Sequence, residues 1–226
     1  MSRPTGTVRL TLTLAVVLSA CGDEPATVPR AAAGEHLDEA HHGDGDDVRH
    51  GDDDEHRAEG AFDERSLFRL DLSLEDQAGQ PFTLVSRRGQ PVLLTFFYAS
   101  CDTMCPLILS DLQRIEAGLT PAARAALRVV VVSIDPEHDD VAHLASVARE
   151  RGLPLDRWSL VRGSERDVRT LASTLGMTYR RTTDGGYAHA ALFTLLDGEG
   201  RVVTQISGTG RTVAPLVEGV EALVEP

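Results

Sequence analysis

The residues of this chain best placed to do chemistry are two cysteines, Cys101 and Cys105, with Pro106 directly after the second. A pair of thiols at this spacing serves either dithiol–disulfide exchange or capture of a soft metal ion by two thiolates. On one helical face the two Cβ atoms would stand about 5–6 Å apart. That separation is loose for a disulfide but reachable with modest adjustment. Spacing alone therefore leaves both chemistries open. Met104, between the two cysteines, adds a soft sulfur whose usual role is loop packing.

The flanking sequence says what must position the pair. Residues 92–98 are apolar except for Thr95 and rich in aromatics, the pattern of a strand buried on both faces. After Pro106, which suits the first turn of a helix, Leu107, Ile108, Leu112, Ile115 and Leu119 recur at helical spacing. The cysteines thus fall at a strand-to-helix junction. There, unpaired backbone N–H groups and the positive end of the helix dipole favour a thiolate.

The rest of the chain reads as alternating strands and helices. Residues 68–74 and 81–85 predict an N-terminal β-hairpin across a turn at 76–79, and residues 127–134 a second buried strand ending at Asp135 and Pro136. A helix over 139–151, a short strand over 158–161 and a helix over 164–175 with Ser164 as N-cap follow. Strands at 191–196 and 201–206 pair across residues 197–200, and a helix over 213–224 closes the chain. This order predicts an α/β, thioredoxin-like three-layer fold, its central mixed sheet flanked by helices and preceded by the hairpin.

Residues 1–20 have the form of a lipoprotein-type signal peptide, with Arg3 and Arg9 before a short apolar core and Leu18-Ser19-Ala20 leading to Cys21. Cys21 is the expected lipidation site. The mature chain is accordingly expected to be extracytoplasmic, in the periplasm or on the outer cell surface, and held to a membrane by lipid. With Cys21 acylated, Cys101 and Cys105 are the two thiols left of the three cysteines in the chain. In an oxidising compartment such a pair drifts to a disulfide unless it is reduced or metal-bound.

Residues 21–61 read as a disordered, acidic, histidine-rich tether without hydrophobic periodicity. Between Glu35 and His56 ten carboxylates stand against the single Arg49, so most of the net charge of −13 lies there. His36, His41, His42, His50 and His56 also fall in this segment, a composition suited to weak, adaptable metal capture or to a plain solvated spacer. No basic patch suggests nucleic acid, and the complete lack of lysine argues against it further. Residues 62–226 are long enough for one domain with its own core.

Across that domain the sequence resembles the Sco/SenC family of copper-binding cytochrome c oxidase assembly proteins. The resemblance rests on Arg88-Gly89-Gln90-Pro91 leading into the strand and the Cys-x-x-x-Cys-Pro stretch, on residues 132–137 (VSIDPE), on Tyr187-Ala188-His189 and on residues 197–200 (DGEG). It implies that Cys101, Cys105 and His189 bind copper. Two thiolates and an imidazole suit soft, low-coordinate Cu(I) and also hold Cu(II) with an added oxygen ligand. His189 is expected in a loop just before the strand at Ala191. Asp135 corresponds to a family acidic residue near the site, as a partner that orients a ligand or as an occasional ligand itself, where the plain alternative is the turn-former of an Asp-Pro pair. His138 and His143 are expected on the surface. Ala188 stands where many family members carry an acidic residue, which removes one candidate for orienting the imidazole.

The resemblance implies a copper metallochaperone delivering to the binuclear copper centre of cytochrome c oxidase subunit II, with a periplasmic copper donor and a thioredoxin-like thiol reductant as partners. The alternative is an extracytoplasmic thiol–disulfide oxidoreductase acting on copper-ligand cysteines or in redox defence. In that case Cys101 and Cys105 are the redox-active pair.

Overall fold

In the computed structural model, the described residues are 62–225 except 102, 184, 211 and 212. The expected signal segment, Cys21 and the histidines of the tether lie outside them. Nine strands and five helices are present among the described residues: β1 (Leu74–Asp76), β2 (Pro81–Phe82), β3 (Val92–Phe97), α1 (Met104–Gly118), α2 (Pro121–Ala126), β4 (Arg128–Ser133), α3 (Val141–Glu150), β5 (Trp158–Gly163), α4 (Glu165–Thr174), β6 (Tyr179–Arg181), β7 (Tyr187–His189), β8 (Leu192–Leu196), β9 (Val202–Ser207) and α5 (Ala214–Val224).

Seven strands form one sheet in the order β2-β1-β5-β4-β3-β8-β9. The central β3, β4 and β5 run parallel, and the flanking strands are antiparallel. Successive side chains of a strand point to opposite faces, so each central strand feeds two cores. Leu93, Val129, Val131 and Leu160 pack with Ile108, Leu112 and Ile115 of α1, Leu144 of α3 and Leu216 of α5. Val92, Leu94, Phe96, Val130 and Val132 pack on the other face with Val168 and Leu171 of α4 and with Phe68 and Phe82 of the N-terminal segment. The three expected layers are present, with a mixed central sheet. No helix among the described residues is long and apolar enough to cross a membrane.

The N-terminal hairpin is smaller than the alternation of residues 68–74 predicts. Residues Leu67–Arg69 form a 3-10 turn instead of a strand, and only Leu74–Asp76 pairs with Pro81–Phe82. The cause is local capping. Ser66 Oγ accepts the Phe68 N–H at 3.2 Å and donates to the Glu199 carbonyl at 2.5 Å. Phe68 then lies on Gly200, where a Cβ would meet its ring at 2.7 Å. Burial of Phe68 against the 197–200 turn, rather than strand pairing, produces the apolar alternation.

Two features lie beyond the sequence-based expectation. One is α2, begun by Thr120 Oγ1 accepting the Ala123 N–H with Pro121 in the first turn. The other is a separate two-stranded sheet, β6 with β7, in which Tyr179 pairs with His189 and Arg181 with Tyr187. His189 is therefore the last residue of a strand in a small hairpin, not a loop residue ahead of β8.

Candidate metal and thiol site

β3 is buried along its whole length and delivers the chain to Tyr98, from which the Cys101 turn and α1 follow. Cys105 lies in the first turn of α1, 3% exposed, packed with Ile108 and Leu109 against the sheet. Its sulfur accepts the Tyr98 backbone N–H at 3.4 Å. Cys101 is half-buried, just outside the helix. Both cysteines are free thiols.

The helix N-terminus explains why the two thiols differ. Thr103 stands at the N-cap without a side-chain capping bond, so the first backbone N–H groups of α1 have no oxygen to meet. The Cys101 sulfur fills that place. Burial alone would push its thiol up, but the N–H groups of Cys105, Thr103 and Met104, together with the Tyr98 hydroxyl, outweigh it and hold Cys101 below the ordinary thiol range. Cys105 is shifted the other way. Burial, reinforced by the charge of Cys101, raises its thiol far above the ordinary range. The pair thus combines an accessible, activated thiol with a buried, protonated one.

Tyr98 is the hub of the site. Its N–H reaches Cys105, its hydroxyl binds Cys101, and its ring meets the His189 ring edge-on at 6.0 Å and the Tyr187 ring at 5.4 Å. The hydroxyl also accepts the Tyr187 N–H at 3.5 Å. Burial and the bond to Cys101 push the phenol up to about 12, so it stays a neutral donor.

His189 has two distinct nitrogens. Nδ1 lies 3.2 Å from the Ala190 carbonyl, which can only accept, so Nδ1 carries the proton. Nε2 then bears the lone pair, and it is buried without any hydrogen-bond partner. Burial lowers the pKa of the ring, which favours the neutral imidazole a metal requires. The orienting bond that Ala188 cannot supply comes from the backbone of the next residue. A carbonyl fixing Nδ1–H while Nε2 stays bare is the usual arrangement of a ligating histidine. Cys101, Cys105 and His189 all touch Tyr98, yet no three His, Cys, Asp or Glu groups among the described residues already stand close enough together to hold one ion.

Asp135, 2% exposed, reaches this cluster through Tyr187 rather than directly. Its carboxylate accepts the Tyr187 hydroxyl at 3.2 Å and lies 2.9 Å from His138 Nδ1, with Arg181 at 3.8 Å. His138 is largely exposed but tied to Asp135, and His143 Nδ1 lies 3.6 Å from Asp139 Oδ1.

Three residues of the cluster escape the sequence reading: Tyr98, Tyr187 and Asp139. Asp139 is completely buried; its Oδ2 accepts the Ala99 N–H at 3.0 Å and the Ser133 hydroxyl at 2.5 Å. Its Oδ1 has no hydrogen-bond partner. Burial raises its pKa against those two bonds. A signal existed in the doubled Asp139-Asp140: a helix uses one N-cap, here Asp140 accepting the His143 N–H at 2.7 Å, and the other carboxylate is left to turn inward.

A family model described as SCO1/SenC matches residues 61–225. The chain belongs to the SCO1/SenC family. It is 25% identical over 144 residues to the SCO1 protein homolog of Bacillus subtilis, a match covering 62% of this chain and 74% of that protein. A match to the mouse mitochondrial SCO2 homolog, 37% identical over 81 residues, covers 35% of this chain and only 32% of that protein. Among solved structures, the chain resembles Arabidopsis thaliana ScoI with copper bound, with TM-score 0.59, 23% identity and coverage of 68% of this chain and 95% of that one. It also resembles BsSco, a member of the Sco family of cytochrome c oxidase assembly proteins in which a disulfide switch is identified, with TM-score 0.60, 22% identity and coverage of 67% and 90%.

Proposed function

We propose that this SCO1/SenC chain is a copper metallochaperone, with Cys101, Cys105 and His189 as ligands of its copper cargo. The observation that carries the reading is His189, whose Nδ1 is fixed by the Ala190 carbonyl while Nε2 is buried and bare beside the tyrosine that touches both cysteines. Two thiolates and a neutral imidazole are a donor set for Cu(I), and for Cu(II) with an added oxygen. Copper bound to a family member and the family's link to oxidase assembly support the same reading. The acceptor is the binuclear copper centre of cytochrome c oxidase subunit II, and a periplasmic donor supplies the ion. Ligand exchange between thiolates needs the pair reduced, so a thioredoxin-like reductant is a further partner. Asp135 acts at one remove, through Tyr187, on the hairpin that carries His189. Cys21 is the lipidated anchor after a signal peptide, placing the domain outside the cytoplasm at a membrane on its tether, whose histidines bind metal weakly.

The test is copper titration of the reduced full chain, with Cu(I) competition and thiolate-to-Cu(II) charge-transfer absorbance. One tight equivalent is expected. It should fall by roughly a thousandfold in affinity in Cys101→Ser and in Cys105→Ser, since each removes one of two thiolates from a three-donor set. His189→Ala should alter the visible spectrum. A tight equivalent that survives both cysteine replacements would place copper elsewhere and end the proposal.

A second reading, an extracytoplasmic thiol–disulfide oxidoreductase, is favoured by one observation. The lowered Cys101 thiol beside the buried, raised Cys105 is the pairing of an attacking and a resolving sulfur. In that case Cys101 and Cys105 cycle readily through a disulfide while copper binds weakly and His189→Ala changes nothing.

A further inference from the structure

A cavity of about 890 Å³ opens between the N-terminal hairpin, the end of β5 with the start of α4, and the β6–β7 hairpin. That volume is in the range of small-molecule sites, which run to about 1,000 Å³. Four arginines line it, Arg162, Arg169, Arg180 and Arg181, against the glutamates Glu75, Glu137 and Glu165. Each glutamate is matched: Glu75 with Arg162, Glu165 with Arg169, Glu137 with Arg181. Arg180, the middle residue of β6, pairs with Ala188 and turns its exposed side chain to the face opposite Tyr179 and Arg181, so the charges that face the aromatic wall are matched. One wall is aromatic. Arg169 sits 5.3 Å over Tyr179, Arg181 sits 5.5 Å over Tyr187, and the two phenol rings lie 5.9 Å apart.

Two lining side chains also carry buried polar atoms without a partner, Arg162 Nε and Tyr179 Oη. The Arg162 N–H can only donate, and its other nitrogens are taken by Glu75 and the Pro136 carbonyl. The Tyr179 hydroxyl likewise has a proton to give. What both lack is an acceptor. Buried donors of this kind are satisfied in nearly all proteins, and an unsatisfied pair in one cavity wall asks what completes it.

We propose that this cavity is a second ligand site of the chain, for a small organic anion that sets a carboxylate or phosphate oxygen against Arg162 Nε and the Tyr179 hydroxyl and a planar body along the Tyr179–Tyr187 wall. The inference stands apart from copper binding. The two sites nevertheless share the β6–β7 hairpin, because Tyr187 lines the cavity and also donates its N–H to Tyr98.

The test uses the metal-free, reduced full chain, titrated calorimetrically with benzoate, phenyl phosphate and inorganic phosphate. At least one organic anion should bind saturably at one site, with inorganic phosphate at least tenfold weaker. Tyr179→Phe removes only the partnerless hydroxyl and leaves the fold intact. It should weaken the organic anion by about tenfold, as expected for a hydrogen bond to a charged group, whereas Arg180→Gln, on the opposite face of β6, should leave binding nearly unchanged. Carboxylate and phosphate sources separate by whether benzoate or phenyl phosphate binds. No saturable binding of either, or binding indifferent to Tyr179→Phe, overturns the proposal. Equal binding of inorganic phosphate would remove the aromatic wall from it.

Discussion

The two halves of the candidate metal site are held by different forces. Cys105 belongs to the core: it is packed with Ile108 and Leu109, and the helix behind it buries Leu112 and Ile115 completely. His189 belongs to a hairpin of three-residue strands whose side chains are exposed or half-buried. That hairpin meets the domain through the half-buried rings of Tyr179 and Tyr187 at the edge of the second core and through hydrogen bonds and ion pairs, chiefly Tyr98 to Tyr187, Tyr187 to Asp135 and Arg181 to Glu137. Apolar burial fixes position cooperatively, whereas polar ties at a surface open locally at low cost. The cysteines therefore supply a fixed half-site and the histidine an adjustable one. This division suits a site whose candidate ligands surround Tyr98 without yet converging on one ion.

The sharpest way to break the comparison is within the cysteine half. With Cys101 lowered at the helix N-terminus and Cys105 raised by burial, alkylation of the reduced protein by iodoacetamide should strike Cys101 first. The expected rate ratio at neutral pH is on the order of a hundredfold or more, since the thiolate is the nucleophile and Cys105 is also sealed. The Cys101 rate should remain high at a pH where a free cysteine has already lost its thiolate, and fall only below its lowered pKa. Peptide mapping of the singly modified protein reads the order directly. Equal rates would mean that the pair is not fixed as described.

Next in size is the buried support of the cysteine turn. Asp139→Ala leaves the Ala99 N–H and the buried Ser133 hydroxyl without their acceptor, which should cost about 2–4 kcal/mol of unfolding free energy for two orphaned groups. Asp139→Asn keeps an acceptor and should cost less. The two also differ with pH. Burial raises the folded-state pKa of Asp139, so the native state binds its proton more tightly than the unfolded chain does. Stability therefore declines as pH rises from the ordinary carboxylate range through that raised pKa. Asn cannot titrate, and denaturant melts across this window should show a shallower decline in Asp139→Asn. A decline of the same slope in both proteins would show that Asp139 is not the titrating group.

The same contrast explains what sequence reading captured. The cysteine half announces itself because burial writes periodicity: residues 92–97 are apolar but for Thr95, and Ile108, Leu112 and Ile115 mark one face of α1. The helix end at Ser164 is legible too, since an N-cap needs a particular side chain at a particular place, whereas the expected start at Asp139 falls one residue before the actual N-cap, Asp140. The β6–β7 hairpin has neither signal. Its strands are three residues long, half exposed, and rich in arginine and tyrosine, so no alternation builds up. Resemblance alone points to His189, and nothing local marks the strand that carries it. Tyr98 and Tyr187 act through contacts across 89 positions of sequence, which no local pattern can encode. The 3-10 turn at Leu67–Arg69 fails in the opposite way: Phe68 is buried against a distant turn, and its apolarity imitates a strand.

The smallest effect is the most discriminating, because it crosses the two halves. The Tyr187 hydroxyl accepts from Arg181 Nε at 3.1 Å and donates to Asp135. Tyr187→Phe removes both bonds but leaves the ring contacts with Tyr98 and the backbone bond to its hydroxyl. Little apolar burial is lost, so unfolding free energy should change by under about 1 kcal/mol. His189, two residues along the same strand, loses one of the ties that set its position. Copper affinity should then fall severalfold, about the size expected when an outer partner of a ligand is lost, with a shift in the charge-transfer band. Ser133→Ala is the mirror-image change, deleting a buried hydroxyl that donates to Asp139 behind the cysteine turn and accepts the Asp135 N–H at 3.1 Å. It should lower stability by about 1–3 kcal/mol and leave the copper spectrum nearly unchanged, because packing rather than those two bonds fixes the sulfurs. If both variants moved stability and spectrum together, the fixed and adjustable halves would be one cooperative unit, and the hairpin would have no freedom of its own with which to bring His189 to the metal.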